Sequence, residues 1–282
     1  MARRFKVRPG TRVLITGGAS GLGRALAEAC AKRGARLMLA DVQSCDEAVA
    51  GLGPRTEAHS VHCDVSDPES VAAMINRCEK ELGGLDLLFN NAGVAAAGPL
   101  DKSDLETWEW IRSIDLDGPM YVARAAIPLM RRSGRGWMVN TASLAAFAQA
   151  PHMAYYNVCK AGVVALSETL YSELEPDGIG VSALCPGFFQ TNLVDTFRTT
   201  HPGQRVFVEK VMKKSKLTAA GVADLTLKGI GRGDLYILPP GTAKQTWYFS
   251  RFFPRLSRSL VTRGLGKRNR RNSAPPSSSS ES

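Results

Sequence analysis

Short apolar runs alternate with segments whose apolar residues recur at helical spacing, from about residue 12 to about residue 240. RVLIT (Arg12 to Thr16) reads as a strand that ends in glycines, and LGRALAEACAKR after it has the spacing of a helix. ARLMLAD predicts a second strand closed by Asp41, and AHSVHCDV a third closed by Asp64. The following S66-D-P-E69 fits a capping box with Pro68 in the first turn, so a helix through about Leu82 is expected. LDLLFNN predicts the next strand, followed by a helix from about Asp104 to Met130. GWMVNTAS, the helical AYYNVCKAGVVALSETLYSEL and IGVSALCPG continue the alternation, and LYIL (Leu235 to Leu238) would be a seventh strand.

Strands that are nearly all apolar must be covered on both faces, which a parallel sheet flanked by helices provides. Right-handed crossovers then give an α/β, doubly wound, Rossmann-type sheet of about seven strands, which takes ligands at the carboxyl ends of its strands. The polar features of interest fall at such ends: Gly17 to Gly23, Asp41, Asp64, Asn90 to Gly93, Ser143 and Pro186-Gly187.

A chain of 282 residues with 44% hydrophobic content is long for one domain and short for two, so one domain with an appendage is expected. Its six cysteines are scattered, with no C-x-x-C pair and no histidine cluster, which indicates neither a metal site nor a disulfide framework. A reducing, cytoplasmic setting follows as the expectation. The basic start MARRFKVRPG is followed by no long apolar run, so no secretory signal is expected, and no segment reaches the roughly 18 apolar residues of a membrane span.

The net charge of +10 is unevenly placed. Residues 251–282 hold eight Lys/Arg against Glu281, residues 1–8 add four cations, and the body between them has 24 basic against 25 acidic residues. Basic ends on a near-neutral body argue against specific nucleic-acid binding. The expected organisation is a basic arm over 1–8, a Rossmann-type domain over 9–240, an aromatic and basic appendage over 241–265, and a disordered tail over 266–282.

The glycines of TGGASGLG (Thr16 to Gly23) would let the backbone approach a pyrophosphate, with the next helix offering free N–H groups. Gly17, Ser20, Gly21, Leu22 and Gly23 are the candidate contacts. Asp41 suits a carboxylate accepting from both ribose hydroxyls, and no Lys or Arg lies within Gly17 to Gly23 to receive a 2′-phosphate. NAD is therefore expected over NADP. Within AYYNVCK, Lys160 lies about 40° around the helix from Tyr156 but about 140° from Tyr155, so only Tyr156 shares its face.

TG-x-x-x-G-x-G, Asp64-Val65, N-N-A-G at 90 to 93, Ser143, Y-x-x-x-K at 156 to 160, and Pro186-Gly187 with Thr191 resemble, in order and spacing, the short-chain dehydrogenase/reductase family in its single-domain branch. The resemblance covers about residues 9–240. It implies that Asp64 and Val65 line the adenine pocket, that Asn91, Ala92 and Gly93 lie beside the nucleotide, and that Thr191 reaches the nicotinamide carboxamide. It also implies a homodimer or homotetramer, commonly paired through helices near 104–130 and 151–175.

The chemistry also follows from the groups. A phenol with a pKa near 10 is a poor base at neutral pH, and the Lys160 ammonium and the positive nicotinamide ring would both stabilise its phenolate and lower that pKa. Tyr156 then serves as base in oxidation and acid in reduction, Ser143 bonds the substrate oxygen, and Lys160 also bonds the nicotinamide ribose. Where the family has asparagine in N-x-x-G, this chain reads D115-L-D-G118. Asp115 is therefore a fourth catalytic candidate, whose charge would pull on Lys160. The same departure motivates an alternative: an NAD-binding protein impaired in catalysis, acting as a sensor or docking module.

Val94, Leu144 to Phe147, His152, Met153, Phe188 and Phe189 are candidate substrate walls, together with the segment from Asn192 to about Lys216, which includes Leu193, Val194, Phe197, Val206 and Phe207. A lipophilic alcohol or ketone is the expected partner. In WYFSRFFPRLSRSL, Phe249, Phe252, Phe253, Leu256 and Leu260 follow helical spacing with Arg251, Arg255 and Arg258 on the other side, and Pro254 predicts a kink or two short helices. Such a face suits an anionic membrane surface, and packing against the protein's own pocket or a second subunit is the competing expectation.

Overall fold

A computed structural model describes residues 4–200, 202–239 and 241–262. Seven parallel strands form the main sheet in the order β3-β2-β1-β4-β6-β7-β9: β1 (Arg12–Thr16), β2 (Arg36–Asp41), β3 (Ala58–His62), β4 (Leu87–Asn90), β6 (Gly136–Thr141), β7 (Ile179–Leu184) and β9 (Tyr236–Ile237). A two-stranded parallel pair, β5 (Ala96–Ala97) with β8 (Arg198–Thr199), stands beside it. The strand order reverses direction between β1 and β4, the switch point at which ligands enter such sheets.

Helices cover both faces. The chain order is α1 (Gly21–Ala31), α2 (Asp46–Gly51), α3 (Pro68–Leu82), α4 (Leu105–Arg112), α5 (Gly118–Arg132), α6 (Ala145–Ala148), α7 (Ala154–Glu173), α8 (Pro202–Lys214), α9 (Ala219–Arg232) and α10 (Gly241–Phe252). Alternate residues of the central strands feed two cores. Val13, Ile15, Leu37 and Leu39 pack toward α1 and α9, whereas Leu14, Met38, Leu88 and Met138 pack toward α3 and α5. Burial on both sides explains why these strands read as continuous apolar runs.

Two local expectations are corrected. Asp67, not Ser66, caps α3: its Oδ1 accepts the Glu69 N–H at 3.0 Å, while Ser66 donates to Asp64. The helix expected from Asp104 to Met130 is interrupted by a π-helical turn, Ser113–Asp117, in which the Gly118 N–H reaches back to Ser113 O. Pro119 supplies the reason, since it offers no N–H to the Asp115 carbonyl and its ring crowds that oxygen. The basic N-terminal arm is fastened from residue 4 onward: Phe5 N–H donates to Ile230 O at 3.1 Å, and Phe5 and Val7 pack on the core.

At the other end, α10 is followed by a second helical segment over 254–262, which Pro254 opens. The tail expected over 266–282 lies outside the described residues. No described helix is long and apolar enough to cross a membrane.

Candidate active site

A cleft of about 260 Å³ opens at the carboxyl ends of the strands, above the switch point. Gly17, Ser20, Gly21 and Leu22 from the β1–α1 turn form one side of it, with Asp41, Asp64 and Val65 from the ends of β2 and β3. Asn91, Ala92 and Gly93, after β4, line the same cleft, as do Tyr156, Lys160, Pro186 and Thr191.

The turn is built for close approach. A Cβ on Gly23 would lie 1.8 Å from Gly17 O, so only glycine lets α1 start against this turn. Ser20 precedes α1 in extended conformation without a side-chain cap, leaving the first N–H groups of the helix turned to the cleft. Asp41 accepts the Ala19 N–H at 3.1 Å and the Gln43 N–H at 3.1 Å, which anchors the carboxylate at the cleft's edge. Thr16 joins the two strand ends by accepting the N–H groups of Asn91, at 2.9 Å, and Ala92, at 3.1 Å. Among the lining side chains Lys160 is the only cation. An N–H-rich helix start, a glycine cradle and a strand-end carboxylate fit a dinucleotide.

Tyr156 and Lys160 lie on one face of α7, 8% and 4% exposed, with the ammonium 5.7 Å from the ring centroid. Tyr155 points elsewhere. Its hydroxyl donates to Ser103 O at 3.2 Å and its ring packs against Trp108. Lys160 Nζ donates to Thr141 O at 3.2 Å and lies 3.1 Å from Asp115 Oδ2. Asp115 is fully buried, and its Oδ1 accepts the Val94 N–H at 2.7 Å. Its Oδ2 has the ion-pair contact but no well-aligned hydrogen bond. The π turn carries this carboxylate inward, so Lys160 is paired on one side and bonded to the backbone on the other.

Burial pushes the Tyr156 phenol above its ordinary value; Lys160 and a hydrogen bond to Ser143 oppose that, and the charge of Asp115 adds to it. Lys160 thus acts on the phenol in the expected direction, while burial dominates among the protein's own groups and Asp115 offsets part of the ammonium charge. Burial also lowers the Lys160 ammonium, but Asp115 and then Tyr156 outweigh it and leave it raised. Burial raises the Asp115 carboxyl against the pull of Lys160 and the Val94 N–H.

Next to Tyr156 is a second cavity, of about 140 Å³. Ser143, Met153, Gly187, Phe188 and Phe189 line it, with Leu193, Val194 and Phe197 from the segment after β7. Ser143, Tyr156 and Thr191 are the hydroxyl-bearing side chains of this wall.

Residues 11–202 match the family model described as short chain dehydrogenase. The chain belongs to the short-chain dehydrogenase/reductase family. Meso-2,3-butanediol dehydrogenase of Serratia marcescens is 35% identical over 185 residues, which are 65% of this chain and 73% of that protein. 11-beta-hydroxysteroid dehydrogenase A of Sesamum indicum is 31% identical over 256 residues, covering 87% of this chain and 72% of that one. The crystal structure of a short chain dehydrogenase/reductase from Burkholderia phymatum in complex with NAD is 32% identical and has a TM-score of 0.81, with 89% of this chain and 96% of that chain covered. This dehydrogenase/reductase is accordingly an oxidoreductase of alcohol and carbonyl groups that works with a nicotinamide cofactor.

Not every expected wall residue of the dehydrogenase faces this apolar cavity. Phe147 points outward from α6 and packs edge-on against Tyr236 and Trp247, at centroid distances of 6.2 and 6.4 Å. His152 sits at a neighbouring depression with Ser103 and Arg198, and Val94 lines the cofactor cleft. Ala95, Val208 and Met212, which sequence reasoning did not single out, complete the apolar wall. The available signal was the four-residue spacing of Val208 and Met212 on one face of α8.

Proposed function

We propose that this dehydrogenase uses NAD and acts on the hydroxyl or carbonyl group of a mainly apolar small molecule. The cavity beside Tyr156 carries the reading. Phe188, Phe189, Leu193, Phe197, Val208 and Met212 would desolvate an apolar body, and the hydroxyls of Ser143 and Tyr156 would meet its one oxygen. NAD is preferred because Asp41 would accept from ribose hydroxyls and repel a 2′-phosphate, with no lining cation near it. Bound in the cleft, NAD would take or give the hydride. Tyr156 Oη would take the alcohol proton in oxidation and return it in reduction. Ser143 Oγ would hold the reacting oxygen beside the phenol, and Lys160 Nζ would stabilise the phenolate.

Absorbance of reduced nicotinamide, followed with NAD and then NADP against a panel of lipophilic secondary alcohols, tests the reading. Turnover with NAD and lipophilic alcohols supports it. Tight NAD binding without turnover, together with turnover gained by Asp115→Asn, would favour the catalytically impaired alternative, and preference for NADP would overturn the role of Asp41.

Two surfaces extend the proposal to partners. Leu105, Met120 and Val158 are exposed on α4, α5 and α7, the helices that the family pairs, and a second copy of the chain would cover them. Phe252, Phe253, Leu256 and Leu260 are exposed at the C-terminal end beside Arg251 and Arg255, within a stretch of eight cations and one anion. An anionic membrane surface complements that face.

A further inference from the structure

Ser143 and Tyr156 are joined by the short helix α6 and the bend that follows it. A helix of four residues cannot satisfy its own last carbonyls. Gln149, held in left-handed conformation at φ 47°, covers two of them: its N–H donates to Ala145 O at 3.0 Å, and its Nε2 to Ala146 O at 3.4 Å. The carbonyls of Ala148 and Phe147 are covered by Arg258, through Nη1 at 3.0 Å and Nη2 at 3.4 Å. A single guanidinium, 110 residues further along the chain, thus closes this helix end, where a positive charge also suits the dipole. Sequence spacing placed Arg258 on the basic outer side of the appendage; the structure turns it inward.

The two faces of α6 have different duties. Its outer face, through Phe147, rests on Trp247 of α10, while Ala145 and Ala148 on the inner face line the apolar cavity. Ser143 Oγ accepts the Ala145 N–H at 3.1 Å, so a shift of α6 turns the hydroxyl that meets the substrate oxygen.

We propose that Arg258 is a positioning residue: by clamping the C-terminal end of α6, the appendage sets the substrate wall and the orientation of Ser143. This rests on the proposed function for its kinetic consequence, though not for its structural one. In the full-length protein, Arg258→Ala is expected to lower kcat/KM for the alcohol about tenfold while leaving NAD affinity unchanged. Arg258→Lys should fall between the two, because an ammonium supplies the charge but not the fork that reaches both carbonyls. Hydrogen exchange should rise in Arg258→Ala over residues 143–153 and stay constant over β1 and α1.

A kcat/KM within about twofold of wild type, with unchanged exchange over 143–153, would overturn the proposal. So would loss of NAD affinity together with loss of protection throughout the sheet, which would make Arg258 a contact for general stability. Absence of turnover in the wild-type protein would count against the proposed substrate chemistry alone, since the exchange measurement still decides the clamp.

Discussion

Asp115 puts a carboxylate, fully buried, 3.1 Å from the lysine to which the proposed reaction gives the task of stabilising a phenolate. A negative charge there works against Tyr156 in two ways: it raises the phenol directly, and it offsets the Lys160 charge. Replacing it with asparagine removes both effects, so less alkali is needed to form the phenolate. We expect the rising limb of kcat/KM for alcohol oxidation, where the phenol loses its proton, to move to lower pH in Asp115→Asn. A pH profile that superimposes on wild type would show that Asp115 does not act on Tyr156. The assignment of the proton-transfer group itself is tested by Tyr156→Phe, which keeps the ring in its pocket and deletes one hydroxyl. Its kcat should fall about a thousandfold with NAD affinity retained, a loss typical of a missing general acid or base. Comparable turnover would move the proton step to another group.

Between α4 and α5 the chain departs from a plain helix, and the departure serves the site. Pro119 cannot donate to Asp115 O, so the turn widens and Asp115 swings toward Lys160. Pro119→Ala restores that donor and removes the ring, which favours an ordinary α-helical turn and a different heading for Asp115. We expect near-wild-type helix content by circular dichroism, with the pH profile of kcat/KM for alcohol oxidation displaced in the same direction as in Asp115→Asn, because the carboxylate no longer faces Lys160. Unchanged kinetics would mean that packing, rather than proline, maintains the turn. This element also marks the limit of sequence reading. β1, β2, β4, β6 and β7 were legible because each is buried on both faces and is apolar over most of its length. The π turn was not, because apolar spacing runs through it undisturbed. The contact between Asp115 and Lys160, 45 residues apart, depends on how α4 and α7 pack. Tyr156 and Lys160 were legible together because local geometry alone places them on one face, whereas Phe147 took its direction from Trp247, a hundred residues later, and no local pattern encodes that.

Taken as a whole, the molecule carries its apolar cavity and its exposed aromatic face on the same structural unit, the wall made of α6 and the C-terminal arm. Phe252, Phe253, Leu256 and Leu260 are each more than half exposed, so their replacement removes few internal contacts. Truncation before α10 would be a poorer test of membrane binding, because it would also strip Trp247 from Phe147 and Arg258 from α6. We therefore expect a variant with all four residues changed to serine to keep its melting temperature within a few degrees. It should co-sediment with anionic phosphatidylserine vesicles several-fold less than wild type does. Added salt should weaken wild-type binding, since the adjoining cations contribute through screened attraction, and neutral phosphatidylcholine vesicles should retain little of either protein. Equal sedimentation of the two proteins would show that the basic stretch binds by charge alone and that the aromatic face has another partner.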